Sequence, residues 1–448
     1  MSRRSFWIAL MAIVVLGGAT RGITLAVTQW GEPPLGDSIY YHEQANFLAD
    51  GEGYVEPFGY LETGVWKPSA MHPPGYATAL AVVSFFGGRS SDTHRIATVA
   101  MGTASVLVIG LLGRRVGRGS GSAERLGLLA AFLAAIAPNL FQLDEHLMSE
   151  SLAVLLVAWF LLAVYRAWDR PTWLRFAVVG LAGALALLTR SEAALLFPFV
   201  VIPLAVWGKQ IEGWKPRIGL SAVACGVALV VVAPWTIRNY LSFEEPTLLG
   251  TNEGYTLAYS NCDAVYEGRF IGYWWFPCAT PAAQYPDESV ATKAAREQAL
   301  EYIAEHKDRL PSVVTARVLR MASLWNPGDA IEIELVGDQR PRWIGWSGLL
   351  QWYLYALASI AGAVVLRRRG RPIFPLVAPF VIVAVTAAML YGFTRIRVPA
   401  ELAACVLSAV AVDALWARHR RAPVGANDAD GATDHPADGA PVSVSVGG

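Results

Sequence analysis

The chain has 448 residues, 54% of them hydrophobic and only 16% charged, with no formal net charge. A soluble protein of this size carries about 25% charged residues, and a neutral chain gives nucleic acid no electrostatic footprint. The apolar residues fall in runs long enough to cross a hydrocarbon core of about 30 Å, which takes about 20 helical residues. They lack the alternation of a barrel, so the expected fold class is an all-α polytopic membrane protein.

In chain order, spans are expected near 6–28, 95–113, 124–141, 150–165, 173–189, 192–208, 217–235, 343–366, 372–392 and 399–416. The run 73–88 is apolar but short and opens Pro73-Pro74-Gly75, which marks an interfacial or re-entrant helix. Basic clusters set the orientation. They are Arg3-Arg4, Arg114-Arg115 with Arg118 and Arg125, Arg166 with Arg170 and Arg175, Lys209 with Lys215 and Arg217, Arg367-Arg368-Arg369 with Arg371, and Arg418 with Arg420-Arg421. All of them share the cytoplasmic side only if 73–88 does not cross. The expected organisation is therefore ten crossings within a transmembrane domain, 1–421, with both termini inside and outside loops at 29–94 and 236–342. The first apolar run is too long for a signal-peptide core and lacks a small-residue cleavage site, so it reads as an uncleaved anchor. Residues 422–448 read as a disordered cytoplasmic tail. Asp428 and Asp430 in that tail sit on the wrong side to act as a nucleotide-sugar carboxylate pair.

The first outside loop concentrates reactive groups beside the membrane. It carries Asp37, Tyr40, Tyr41, His42 and Glu43, and closes through Lys67 and His72. Asp37 precedes a helix-prone stretch, 38–49, and suits either a helix cap or a fixed catalytic carboxylate. Tyr41, His42 and His72 are candidate substrate contacts, and Lys67 and His72 are placed to meet a phosphate. Tyr40 and Tyr41 equally suit interfacial aromatics, and His42 suits a structural role.

The second outside loop holds Cys262 and Cys278, and an oxidising compartment permits a disulfide between them. Cys225 and Cys405 fall inside spans and read as small buried hydrophobes. A helix over about 287–323 is expected, opening at Pro286-Asp287-Glu288 and broken or kinked at Pro311.

Charged residues also gather where spans end on the outside. Glu150 follows Asp144-Glu145-His146, while Arg190 and Glu192 share a short turn. Arg238 follows Trp235-Thr236-Ile237, and Arg395 and Arg397 share the turn before Pro399. One such arginine is an ordinary snorkelling anchor. Four of them, running against the positive-inside trend with carboxylates nearby, point to a common anionic ligand. The fork of guanidinium donors suits a lipid phosphate at the bilayer surface.

A sugar carried on a polyprenyl phosphate needs one carboxylate to deprotonate the acceptor and cations to steady the departing phosphate. A retaining reaction would need a nucleophile as well. Gly36-Asp37 with Tyr41 and Ala45, Leu48-Ala49-Asp50-Gly51-Glu52-Gly53-Tyr54 and Pro73-Pro74-Gly75-Tyr76 together resemble the first loop of GT-C glycosyltransferases. Met148-Ser149-Glu150, Thr189-Arg190-Ser191-Glu192, Pro234 to Tyr240 and Arg395 to Pro399 resemble later landmarks of the same enzymes. These are the polyprenyl-phosphate-sugar-dependent transferases related to protein O-mannosyltransferases and to aminoarabinose transferases of lipid A. The resemblance implies Asp37 as catalytic base, and Glu150 or the Asp144-Glu145 pair as a second acidic group. It also implies Arg190, Arg238, Arg395 and Arg397 at the donor phosphate. Many relatives have Asp-Glu where this chain has Asp37-Ser38, so no obligatory metal or other cofactor is expected. The expected partners are a polyprenyl-phosphate sugar and an envelope glycan, lipid or protein acceptor, at a plasma membrane. The competing readings are a lipid-linked sugar translocase, which Asp413 near an inner span end partly suits, and a noncatalytic scaffold.

Overall fold

The computed structural model describes residues 1–281, 284–285, 287–337 and 340–419. The expected tail, with Asp428 and Asp430, lies outside the described residues, as do Pro286 and Arg420-Arg421. Among the described residues the chain is helical, with no strand and one isolated bridge between Val55 and Pro68.

The helices are α1 Arg3–Thr28, α2 Asp37–Asp50, α3 Pro57–Thr63, α4 Gly75–Phe85, α5 Ser91–Val116, α6 Ala123–Ala135 and α7 Pro138–Phe141. Next come α8 Glu150–Asp169, α9 Trp173–Leu187, α10 Ile202–Trp207, α11 Trp214–Ser242, α12 Asn252–Tyr259 and α13 Asp263–Tyr266. The chain then forms α14 Glu288–Glu305, α15 Leu310–Met321, α16 Pro327–Gly337, α17 Arg342–Arg368, α18 Phe374–Met389 and α19 Val398–His419.

Six helices are long and apolar enough to cross a membrane: α1, α5, α8, α11, α17 and the Thr394–His419 helix. The pair Ala123–Ala135 and Pro138–Asp144, bent by 61°, makes a seventh if counted as one span. The segments Gly75–Phe85, Trp173–Leu187, Ser191–Trp207 and Phe374–Met389 are apolar but shorter. Proline accounts for part of the shortfall from ten. It removes a backbone donor wherever it falls in a helix, and the Ser191–Trp207 segment, with Pro198 and Pro203, changes winding before it settles into α10. The single helix expected over 287–323 is two, because the chain breaks at 306–309 and Pro311 lies in the first turn of α15.

The centre of the bundle is α8 and the Thr394–His419 helix, whose apolar windows are 67% and 78% buried by protein. In α11 the figure is 22%, so that helix turns most of its apolar surface outward. Small residues let the inner helices touch, as is usual where lipid gives no hydrophobic drive to association. A Cβ on Gly362 of α17 would lie 1.9 Å from the Leu407 carbonyl oxygen of α19.

The two ends of α8 divide the molecule's chemistry. At its C-terminal end Asp169 forms an ion pair with Arg115 at 2.7 Å and accepts from Arg371 at 2.5 Å. Asp413 pairs with Arg125 and with Arg369, two residues from Arg371, and so fastens helix ends. Arg114 packs over Phe6, bringing the start of α1 to the same end. Glu150 opens α8 at the other end, about 30 Å away by helical rise.

Gly362→Val should destabilise the bundle by about 1–3 kcal/mol through overpacking. The check is a lower melting temperature of the detergent-solubilised protein, and an unchanged melt would count against this packing.

Candidate active site

The site assembles at the α8 end that carries Glu150. Glu150 is 2% exposed, and its Oε1 accepts from Arg190 Nη1 at 2.6 Å and from Arg395 Nε at 3.0 Å. A buried carboxylate costs several kcal/mol unless it is paired, and here two guanidiniums pair it. Arg190 also binds Glu192 within its own turn. Burial alone would lower the Arg190 pKa, but Glu192 and Glu150 raise it above the ordinary range.

Asp37 is the first residue of α2. Gly36 before it takes φ 54°, a conformation that favours glycine. No side chain caps this helix, so the Asp37 carboxylate does not act as the cap. The helix N-terminus favours its negative charge. Its Oδ2 faces Arg395 Nη2 at 3.6 Å and its Oδ1 faces His72 Nε2 at 3.6 Å. The side chain keeps 39% exposure, so it remains open to a substrate. Burial pushes the Asp37 pKa up, but His72, then Arg395 and Arg190, hold it below the usual carboxylate range.

His72 is held by the loop that carries it. Its ring stacks on Tyr41 at 4.9 Å, and Tyr41 shares a face of α2 with Asp37, four residues earlier. Arg238 donates to the carbonyls of Ser69 and Tyr54, each at 2.9 Å, and packs against Trp235. Glu288 accepts from the Ala70 amide at 3.0 Å. Just after His72, the Gly75 amide bonds the Leu188 carbonyl at 2.7 Å, which brings this loop to the Arg190 turn.

The structure thus brings together Asp37, Tyr41, His72, Glu150, Arg190 and Arg395. It places the other candidates elsewhere. Arg238 supports the His72 loop from behind. Arg397, 2% exposed, binds Glu401, the Met321 carbonyl and Ser323, and lies over Trp352. Neighbouring turn positions thus send Arg395 and Arg397 in different directions. Lys67 is exposed on the loop surface. His42 turns inward, its Nδ1 3.0 Å from His94 Nδ1. Asp144 is buried against Arg21 at 2.6 Å. In the second outside loop a disulfide joins Cys262 and Cys278, with Cα atoms 5.9 Å apart.

Beside Asp37 lies an open cleft. Arg395 borders it together with Arg95, Arg340, Gln142 and His146. Pro33, Pro34, Leu35, Leu143, Leu147 and Met148 supply an apolar rim. Arg95, Arg340 and Gln142 are all buried; Arg95 pairs with Asp92 and Arg340 with Glu334, while Arg95 Nε, Arg340 Nε and Gln142 Oε1 keep no hydrogen-bond partner. Arg95 and Arg340 were not singled out in the sequence. Both stand near the ends of expected spans, so the signal that marked Arg190 applied equally to them. Next to the cleft, Glu145 bonds Thr28 and lies 3.7 Å from His146.

Three comparisons bear on this geometry. Residues 71–237 match the family described as dolichyl-phosphate-mannose-protein mannosyltransferase. The undecaprenyl phosphate-alpha-4-amino-4-deoxy-L-arabinose arabinosyl transferase of Pseudomonas paraeruginosa is 31% identical over 146 residues, 32% of this chain and 26% of the relative. Its Pseudomonas aeruginosa counterpart (strain UCBPP-PA14) is 30% identical over 146 residues, again 32% and 26%. The matched region therefore spans about a quarter of those relatives. Among solved structures, the Archaeoglobus fulgidus oligosaccharyltransferase with zinc and sulfate aligns over 92% of this chain and 49% of its own, with TM-score 0.53 and 14% identity. The same organism's AglB, with an inhibitory peptide and a dolichol-phosphate, aligns over 96% and 53%, with TM-score 0.53 and 15% identity. These two structures share the fold.

Burial raises Glu145 from 4.5 to about 7, and burial with Arg95 and Arg395 lowers His146 to about 4. The folded Glu145 keeps its proton where the unfolded chain has lost it, so its term removes stability as pH rises from 4.5 to 7. His146 contributes with the opposite sign. Relative to wild type, Glu145→Gln should therefore gain stability across that window, by about 3 kcal/mol at most. Melting curves at pH 4.5 and 7 check this, and a variant running parallel to wild type would refute it.

Proposed function

We propose that this chain is a polyprenyl-phosphate-sugar-dependent glycosyltransferase of the GT-C type, and that it moves one sugar from its lipid phosphate to an acceptor hydroxyl or amine. The observation that carries this reading is the meeting of Asp37 with Arg395 at the edge of a cationic, apolar-rimmed cleft. A phosphate on an apolar chain matches both linings of that cleft.

In the proposed step the acceptor O–H or N–H gives its proton to Asp37. The acceptor atom bonds to the anomeric carbon, and the bond from that carbon to the phosphate oxygen breaks. The polyprenyl phosphate departs with the electron pair, steadied by Arg395, Arg95 and Arg340. His72 orients Asp37 from the other side. This is a single inverting displacement, and Glu150 serves it indirectly by fixing the two guanidiniums. Arg395 suppresses the basicity of Asp37 in the empty site. A bound phosphate draws that charge away, so the base regains strength as the donor arrives.

For membrane placement, ten crossings follow if the seven long or bent spans are joined by α9, the Ser191–Trp207 segment and α18. On this reading α4 does not cross. The basic end of α8 then faces the cytoplasm, and the site, with the outside loops 29–94 and 236–342, faces the extracytoplasmic side of a plasma membrane. Residues 1–421 form the transferase domain, and the acceptor is an envelope glycan, lipid or protein. The donor set does not fit a divalent cation well, because Asp37, Glu150 and Glu192 each already face an arginine. No step is assigned to a metal.

Asp37→Asn should lower transfer by about 10²–10⁴-fold while leaving polyprenyl-phosphate binding intact. Turnover at the wild-type rate would remove Asp37 as base, and lipid-linked sugar crossing a liposome unconsumed would favour a translocase. Arg340→Gln should weaken the donor by about tenfold or more, appearing in KM before kcat. Radiolabelled sugar transfer in proteoliposomes measures both, and an unchanged donor KM would take Arg340 out of the phosphate site.

A further inference from the structure

The segment 259–278 packs seven aromatic residues into twenty positions, and the proposed mechanism uses none of them. Its inner half is buried. Arg320 holds the carbonyls of Ile271 and Arg269 at 2.5 and 2.7 Å and lies over the Tyr273 ring. The Cys262–Cys278 disulfide closes the segment. Gly272, at φ 80°, accepts from the Gly392 amide at 2.8 Å, which docks the segment on the turn that carries Arg395. Either glycine given a Cβ would run into the α15 backbone at Ala316 and Arg317.

Its outer half is left uncovered. Phe276 is 61% exposed and Trp275 is 41% exposed. The Phe276 ring meets Tyr259 at 5.0 Å and Trp274 at 4.7 Å, and Trp274 reaches Tyr391 at 6.5 Å. Tyr391 stands four residues before Arg395. Beside Tyr259 the Tyr255 hydroxyl is buried without a hydrogen-bond partner. A rigid row of rings with hydroxyl tips thus runs from solvent to the Asp37 and Arg395 cluster.

We infer that Tyr259, Trp274, Phe276 and Tyr391 form an acceptor shelf that takes the ring of a neutral sugar. Flat aromatic faces suit the C–H face of a pyranose or furanose, and the tyrosine hydroxyls suit its hydroxyl edge. An acyl chain would leave those hydroxyls unpaired. An extended peptide finds no strand edge to pair with among the described residues. The shelf ends at Tyr391 on the turn that carries Arg395, and none of its four residues lines the lipid-phosphate cleft. The occupant is therefore the acceptor rather than the donor. The inference rests on the glycosyltransferase reading and makes the acceptor a glycan.

The test is saturation-transfer NMR on the full-length protein in nanodiscs. The probes are a panel of neutral gluco-, manno- and arabino-oligosaccharides, a Ser/Thr-containing peptide, and undecaprenyl phosphate. The expected result is millimolar oligosaccharide binding, weakened about tenfold by Trp274→Ala and by the exposed-site variant Phe276→Ala, with undecaprenyl phosphate binding unchanged. Peptide binding lost in those variants, or no oligosaccharide binding by a wild-type protein that binds undecaprenyl phosphate, overturns the shelf. Failure of the wild-type protein to bind undecaprenyl phosphate overturns the donor reading beneath it.

Discussion

The site depends on one buried carboxylate. Glu150 sits at the first turn of the central helix, out of water, and two arginines from distant turns satisfy it. Removing one partner from such a group strands a charge in low dielectric, which is far costlier than losing a surface ion pair. The pairing therefore pins the Arg190 turn to the Arg395 turn, two segments about 200 residues apart in the chain. Glu150 holds one edge of the Arg395 guanidinium while its Nη2 faces Asp37 at 3.6 Å.

The loop carrying Asp37 and His72 is supported in the same manner, by groups that never reach the cluster. Arg238 spends its donors on two loop carbonyls, and Glu288 accepts a third contact from the outer helix α14. The long loops are thereby made as definite as the helices beneath them. Catalytic groups on loops need such support, because a shift of about 1 Å is enough to spoil a near-attack geometry. The first-loop site and the second-loop scaffold form one structure.

Much of this was legible in the sequence, for a physical reason. Lipid forces helices, so long apolar runs announce themselves, and charged residues at their outer ends stand out against the trend. That logic found Asp37, Glu150, Arg190 and Arg395, which do converge. It failed where direction mattered more than position. Arg395 and Arg397 lie two residues apart on one tight turn, and only the turn's winding sends one to Asp37 and the other to Glu401. Arg95 and Arg340 drew no notice because a lone basic residue at a helix end is an ordinary feature of membrane helices. The shorter helices blurred the span count, since prolines interrupt apolar runs without changing their composition.

Arg395 serves Glu150, Asp37 and the cleft with one guanidinium, and that sharing constrains the order of events. With the cleft empty, His72 and then Arg395 hold the Asp37 carboxylate below its usual range, which weakens it as a base. On the proposed mechanism, a phosphate in the cleft redirects part of the Arg395 charge, and Asp37 becomes a stronger base. Glu150 keeps the guanidinium from following the phosphate out of position. On that reading, a base that strengthens when the donor is in place would discriminate against acceptors that arrive first. The ion network would then hold the site's geometry and also make its chemistry depend on the donor being bound.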